Sequence, residues 1–363
     1  MGQGQRSRRV APCRVRCKTH PGEDPYPRVA VIRRPAARPR RVILSIMSPD
    51  NDRIGLVLRV SGWEILVADH DRGDHLCQLR GKVKAGPRRV GGQVVAGDRV
   101  DWRPTDPGRG IIEAIRPRRN FISRVASGPR GVQQVMVANV DRFFIVVAAR
   151  QPALRPGFVD RALVIAASGG IEGVVICINK IDLDALRERD QVISLYRDLG
   201  YEVIATSAMT GAGMPALIER FHEGLSVLVG PSGGGKSSIL NAVEPELGLR
   251  TQELMRHHDR GRHTTTSSSL HRLSEGGYVA DTPGVKQLQP WGIPVDELVS
   301  YFPEMAALTG ACQFRDCSHL HEPGCRIREA VEDGRIGASR YDSFERIHGE
   351  TTAGNLQEAD RRS

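Results

Sequence analysis

From Arg53 to about Pro117, apolar and polar positions alternate in short runs interrupted by glycine. The runs are Gly55-Leu-Val-Leu-Arg-Val, Gly62-Trp-Glu-Ile-Leu-Val, Leu76-Cys-Gln-Leu-Arg, Gly97-Asp-Arg-Val-Asp-Trp102 and Gly110-Ile-Ile-Glu-Ala-Ile115. A period of two puts one face of each run in a core, and the turn residues between runs end each strand. Five short strands of this kind predict a small closed β-barrel. A linker from Pro117 to Pro129 follows. Beyond it the period changes. Continuous apolar runs at 143–149, 174–178, 203–205 and 225–229 alternate with helical stretches at 158–168, 184–199, 214–221 and 236–243. This alternation specifies an α/β domain with a mainly parallel sheet covered by helices. After about Gly292 the chain reads as helical around a cluster of cysteine and histidine. The expected division is 1–50, 51–118 (barrel), 119–291 (α/β domain) and 292–363 (Cys/His subdomain and tail).

The longest apolar runs fall far short of the ~20 residues that span a bilayer, so they read as buried strands and no membrane partner is expected. The formal net charge of +10 fits either a solvated basic surface or a polyanionic partner, whose counterions clustered Lys and Arg displace. Lys82, Lys84, Arg88 and Arg89 crowd one loop of the barrel. A basic five-stranded barrel is the shape of an OB-fold, which binds single strands or structured RNA. Three of the seven cysteines share one short C-terminal segment. That is no secreted disulfide framework; it points to a reducing compartment, the cytoplasm, with one metal site.

Residues 1–46 are rich in Arg and Pro, with no apolar stretch of the kind a secretory signal needs. They read as a disordered basic arm. A transit peptide, or an upstream extension with translation starting at Met47, are the alternatives. Cys13, Cys17 and His20 are read as incidental.

Gly230-Pro231-Ser232-Gly233-Gly234-Gly235-Lys236-Ser237 fits G-x4-G-K-[ST] between a strand and a helix. Glycines let successive N–H groups converge on phosphates. Lys236 faces the β- and γ-phosphates, Ser237 offers a hydroxyl to Mg²⁺, and Ser238 completes this part of the nucleotide site. The motif alone does not choose between ATP and GTP.

Asn179-Lys180-Ile181-Asp182 directly follows the apolar run 174–178. A carboxylate at Asp182 can accept from guanine N1–H and the exocyclic amine, a donor pair adenine lacks. Asn179 can fix the loop, and the stem of Lys180 can cover one ring face. Thr206-Ser207-Ala208, ending the next strand, reads as a second loop over the base. In Asp281-Thr-Pro-Gly284, Asp281 would hold Mg²⁺ through water and the Gly284 N–H would sense the γ-phosphate. Between the phosphate loop and this motif lies Arg260-Gly-Arg-His263-Thr264-Thr265-Thr266, whose hydroxyls suit a loop that closes on Mg²⁺. Cys312, Cys317, His319 and Cys325 form C-x4-C-x-H-x5-C. Three thiolates and an imidazole satisfy tetrahedral Zn²⁺ with no open position, a structural site. His321 is an alternative ligand.

The base motif precedes the phosphate loop, the reverse of ordinary GTPases. This circularly permuted order, behind a basic barrel and ahead of a Cys/His segment, resembles the RsgA (YjeQ) family of ribosome-small-subunit-dependent GTPases over Ile54 to Cys325. The resemblance favours His319 as the fourth ligand. It implies a monomeric GTP hydrolase that cycles between GTP and GDP, with the small ribosomal subunit and its rRNA as partner in late maturation. Many GTPases place a water-orienting Gln just after Asp-x-x-Gly; here Val285 stands there. Slow intrinsic hydrolysis follows, with a partner completing the site. His263 is a candidate to orient the water. The segment from Asp281 to Gly284 leads toward the metal subdomain, so loss of the γ-phosphate is expected to reposition that subdomain. An RNA-binding nucleotide switch with negligible turnover is the alternative. A metabolic P-loop kinase is disfavoured by Asn179 and Asp182.

Overall fold

A computed structural model describes residues 53–81, 94–125, 133–183, 187–247, 268–281 and 293–360. Five strands make the barrel: β1 (Arg53–Ser61), β2 (Glu64–Asp69), β3 (Gly73–Leu79), β4 (Arg99–Pro104) and β5 (Arg109–Ile115). β1, β2 and β3 form an antiparallel meander. β3 then pairs in parallel with β5, β5 with β4, and β4 returns to β1, closing the ring. Alternate residues face inward, so Val57, Ile65, Val67, Cys77, Val100, Trp102 and Ile112 fill it. Gly110 is required by the Trp102 ring, since a Cβ there would stand 2.6 Å from Trp102 Cε3.

The expected linker contains structure. β6 (Phe121–Val125) pairs antiparallel with β7 (Gln133–Ala138). The five-residue alternation of Phe121–Val125 is masked in sequence by flanking Pro, Arg and Gly. Next to this hairpin, buried Asp98 of the barrel accepts two hydrogen bonds from Arg118, at 2.7 and 2.9 Å. Such a bidentate pair ties the barrel to the segment leaving it.

The α/β domain contains β8 (Arg142–Ala148), α1 (Pro156–Ser168), β9 (Val174–Asn179), α2 (Arg187–Asp198), β10 (Glu202–Ala205), α3 (Met214–Phe221), β11 (Leu225–Val229), α4 (Lys236–Val243), β12 (Ser269–Arg272) and β13 (Tyr278–Asp281). The strand order is β10-β9-β8-β11-β13-β12, parallel apart from β12. β8 explains the layers. Phe143, Ile145 and Val147 join the core beneath α1 and α2, whereas Phe144 and Val146 join the core beneath α3 and α4. With both faces covered, the strand is apolar at every position from Phe143 to Ala148. β12 also pairs with β1 at Arg59↔Ser269, so barrel and α/β domain share one continuous sheet.

The chain runs outward from β8 to β9 and β10, then returns to β11 on the other side of β8. This reversal opens a crevice at the carboxyl ends of β8 and β11, where open α/β sheets bind ligands. The C-terminal subdomain holds a 3-10 run (Val295–Tyr301), α5 (Pro303–Ala306), α6 (Arg326–Glu332) and α7 (Ala338–Asp360). Its core of Phe302, Met305, Ile327, Ala330, Phe344 and Ile347 includes Val164 of α1, so it packs onto the α/β domain. Among the described residues, no helix is long and apolar enough to cross a membrane.

Candidate functional site

The phosphate loop connects β11 to α4, as its motif requires. Gly233 and Gly235 adopt φ of +80° and +96°, conformations that cost other residues strain. A Cβ on Gly230 would overlap the carbonyl of Val146, so the loop hugs β8. The Lys236 ammonium bonds the carbonyls of Gly230 and Pro231 at 2.8 and 2.9 Å, folding back across the loop. Ser237 and Ser238 lie half-buried in the first turn of α4. The four N–H groups at a helix start have no partner within the helix, which gives an anion a ready set of donors. Asp281 ends β13, beside β11 in parallel register, at the same edge as the phosphate loop.

The base motif ends β9, which is separated from β11 by β8. Asn179 is buried, and its amide donates to the Gly234 carbonyl of the phosphate loop at 3.3 Å. Its Oδ1 accepts from the Ala208 N–H at 3.1 Å and the Thr206 hydroxyl at 3.4 Å. One side chain thus joins both base loops to the phosphate loop. Asp182 is exposed; its Oδ1 accepts from the Ser207 hydroxyl at 2.5 Å, which aims the carboxylate. The Ile181 N–H bonds the Thr206 carbonyl at 3.2 Å. Ser207 in turn accepts from the Thr210 N–H at 3.1 Å. The arrangement offers a charged acceptor beside a preorganised phosphate cradle.

Two features lay outside the sequence reading. Lys180 Nζ donates to the Gln151 carbonyl at 2.7 Å, bringing the turn after β8 into the site. Cys177 Sγ lies 3.3 Å from Thr206 Oγ1, beneath the base motif. Burial pushes this thiol up to about 12, so it stays protonated and serves as packing. Neither contact has a local sequence signal. His263, Thr264, Thr265, Gly284 and Val285 lie outside the described residues, as do Lys82, Lys84, Arg88, Arg89, Cys13, Cys17 and His20.

The Cys/His cluster converges. The ligand atoms of Cys312, Cys317, His319 and Cys325 all lie within 4.8 Å of one another. His319 Nδ1 is 3.6 Å from the sulfurs of both Cys312 and Cys325. Tetrahedral bonds of about 2.3 Å to sulfur and 2.0–2.1 Å to nitrogen require an S···N edge of about 3.6 Å, so the donor set fits a tetrahedral ion. His321 is exposed and outside this group. Burial pushes the Cys317 thiol up to about 12 and lowers His319. Glu322 organises the loop: one carboxylate oxygen accepts from the Ser318 N–H and hydroxyl at 2.9 and 2.6 Å. These bonds, the Ser318 hydroxyl foremost, hold the Glu322 carboxyl well below the usual range.

A phosphate loop after β11, a guanine-type base loop after β9 at the same sheet edge, and the order of the two along the chain define a circularly permuted P-loop GTPase. Known proteins agree. The family model for RsgA GTPase matches residues 115–291. The small ribosomal subunit biogenesis GTPase RsgA of Actinobacillus succinogenes is 41% identical over 267 residues, 72% of this chain and 76% of that one. YjeQ from Thermotoga maritima superposes with a TM-score of 0.66 at 35% identity, covering 82% of this chain and 98% of that one. YloQ, described as a circularly permuted GTPase, superposes with a TM-score of 0.63 at 28% identity, covering 85% and 98%. The chain belongs to the RsgA family of GTPases.

Proposed function

We propose that this GTPase acts on the small ribosomal subunit during its maturation; its relatives are named small ribosomal subunit biogenesis GTPases. The observation that carries the nucleotide assignment is Asn179, whose one side chain bonds the second base loop and the phosphate loop. Asp182 would accept the guanine donors, with Lys180 and Ile181 flanking the ring and Ser207 and Ala208 closing over it. Residues 230–235 would wrap the phosphates, with Lys236 and Ser238 against their oxygens. Ser237 and Asp281 would hold Mg²⁺, which when bound neutralises phosphate charge. Thr264 and Thr265 would close on the γ-phosphate, Gly284 would sense it, and His263 would orient the attacking water.

Cys312, Cys317, His319 and Cys325 would hold one Zn²⁺ as a structural crosslink, in a subdomain too small to be held by its core alone. Lys82, Lys84, Arg88 and Arg89 would meet rRNA phosphates. The reading makes the protein a cytoplasmic monomer.

Multiple-turnover GTP hydrolysis with and without purified small subunits tests this. Strong stimulation is expected, abolished by His263→Ala while binding persists. Binding without turnover would favour the nucleotide-switch reading. Lost binding in the variant would recast His263 as an RNA contact.

A further inference from the structure

The turn at 149–152 touches both halves of the nucleotide site. Its Ala149 N–H donates to the Asn179 carbonyl at 2.7 Å, and its Gln151 carbonyl accepts from Lys180 Nζ at 2.7 Å. Pro152 Cδ stands 3.5 Å from where a Cβ on Gly233 would be. Gln151 and Lys180 both adopt left-handed φ, +54° and +62°. Non-glycine residues hold that conformation only where their surroundings impose it. The turn leads straight into α1, and α1 is anchored from its far side. Asp160 Oδ1 accepts from Arg340 Nη1 of α7 at 2.6 Å and from the Tyr196 hydroxyl of α2 at 2.6 Å. That hydroxyl also lies 3.1 Å from the Pro156 carbonyl, the first residue of α1. Arg340 grips Glu304 of α5 through Nε and Nη2, at 2.6 and 3.2 Å. Hydrogen bonds therefore run from α5 and α7 through Arg340, Asp160 and Tyr196 to the start of α1 at Pro156, and four residues of backbone, 152–155, join that point to Gln151 and so to Lys180. This route does not pass through residues 282–292.

We infer that the 149–152 turn is a positioning element of the guanine site and that Arg340, acting through α1, makes nucleotide residence time depend on the C-terminal subdomain. The inference rests on the base-covering role proposed for Lys180. The turn's carbonyl holds the Lys180 stem over the guanine face, and α1 holds the turn. Arg340 and Tyr196 are positioning residues that never meet the nucleotide. Because linkage is reciprocal, bound guanine nucleotide tightens the junction of α1 with α7.

The test is stopped-flow release of a fluorescent GDP analogue from the full-length protein. Pro152→Gly, Arg340→Lys and Tyr196→Phe should each speed release by roughly fivefold or more, the scale of ordinary site-to-site coupling. In a Lys180→Ala background the same changes should add little, because their route to the nucleotide is gone. Should Arg340→Lys fail to fold, Tyr196→Phe removes one hydroxyl from the same chain. Release rates like wild type in the three variants, alongside fast release in Lys180→Ala, would overturn the inference alone. So would fully additive effects, which a merely structural role would give. Normal release in Lys180→Ala would instead overturn the base-covering role beneath it.

Discussion

The Asn179 amide donates to the carbonyl of Gly234, joining two loops that lie 55 residues apart in sequence. Asn179→Ala removes this donor and the acceptor for Ala208 and Thr206, leaving the Gly234 carbonyl of the phosphate loop and the Ala208 N–H of the second base loop without this partner. Unsatisfied buried groups cost about 1–3 kcal/mol each, so affinity for GTP and GDP alike should fall by about 10²-fold or more. Gly235→Ala should do comparable damage, since its Cβ would overlap the Asn179 amide at a φ of +96°. Calorimetric titration with each nucleotide measures both; unaltered affinity in Asn179→Ala would free this residue of its assigned role.

Base choice should sit on Asp182. Its Oδ1 is already aimed by Ser207. Asp182→Asn trades an acceptor for a donor that faces the guanine donors, which should cost roughly 10²-fold in GTP affinity, about 3 kcal/mol. Xanthine nucleotides, with a carbonyl in place of the amine, should gain in relative affinity. Competition between the two nucleotides reads this directly, and an unshifted preference would take Asp182 out of the site.

How much of this was legible in the chain follows from the range of each signal. The five barrel strands, the parallel strands and helices and the two nucleotide loops were legible because period, glycines and motif spacing are local. The β6–β7 hairpin was missed, because five alternating residues between Pro, Arg and Gly look like a linker. The shared sheet was also hidden: pairing of Arg59 with Ser269 leaves no mark near either residue. The contact of Lys180 with Gln151 depends on two backbone conformations, which side-chain identity does not announce.

Metal loading should depend steeply on pH. Without a cation, burial pushes the Cys317 thiol up to about 12, so this thiol is protonated at neutral pH. Metal ligands must be thiolates, so uptake expels protons and affinity rises with pH. With three cysteines, the logarithm of apparent affinity should climb by up to about three per pH unit near neutrality. Chelator competition across that range measures the slope, and elemental analysis should find about one zinc per chain by the four-ligand count. Cys317→Ala should lose the metal while guanine-nucleotide binding persists. A flat pH profile would mean the ion is not held by these thiols.

The buried ions between α1 and the C-terminal subdomain should be the costliest polar contact to break. Arg340 and Asp160 are 1% and 0% exposed, and Asp160 Oδ2 has no partner among the described residues. Asp160 therefore depends on the single guanidinium for neutralisation. Glu304, at 13%, retains some solvent. Arg340→Met strands both carboxylates, and loss of one partner of a buried pair costs about 3–5 kcal/mol. Asp160→Asn should cost less, because the amide carbonyl can still accept from Arg340 and Tyr196 while Glu304 keeps the guanidinium paired. The sharpest expectation concerns the double variant. Adding Asp160→Asn to Arg340→Met removes a stranded charge, so the double variant should be more stable than Arg340→Met alone. Glu350→Gln, at the partly exposed pair with Arg161, supplies the contrast and should change stability by less than about 1 kcal/mol. Urea unfolding of the four proteins gives the comparison. If the double variant were the least stable, the loss in Arg340→Met would come from missing packing against Phe302, 4.6 Å from the guanidinium, and not from an uncompensated carboxylate.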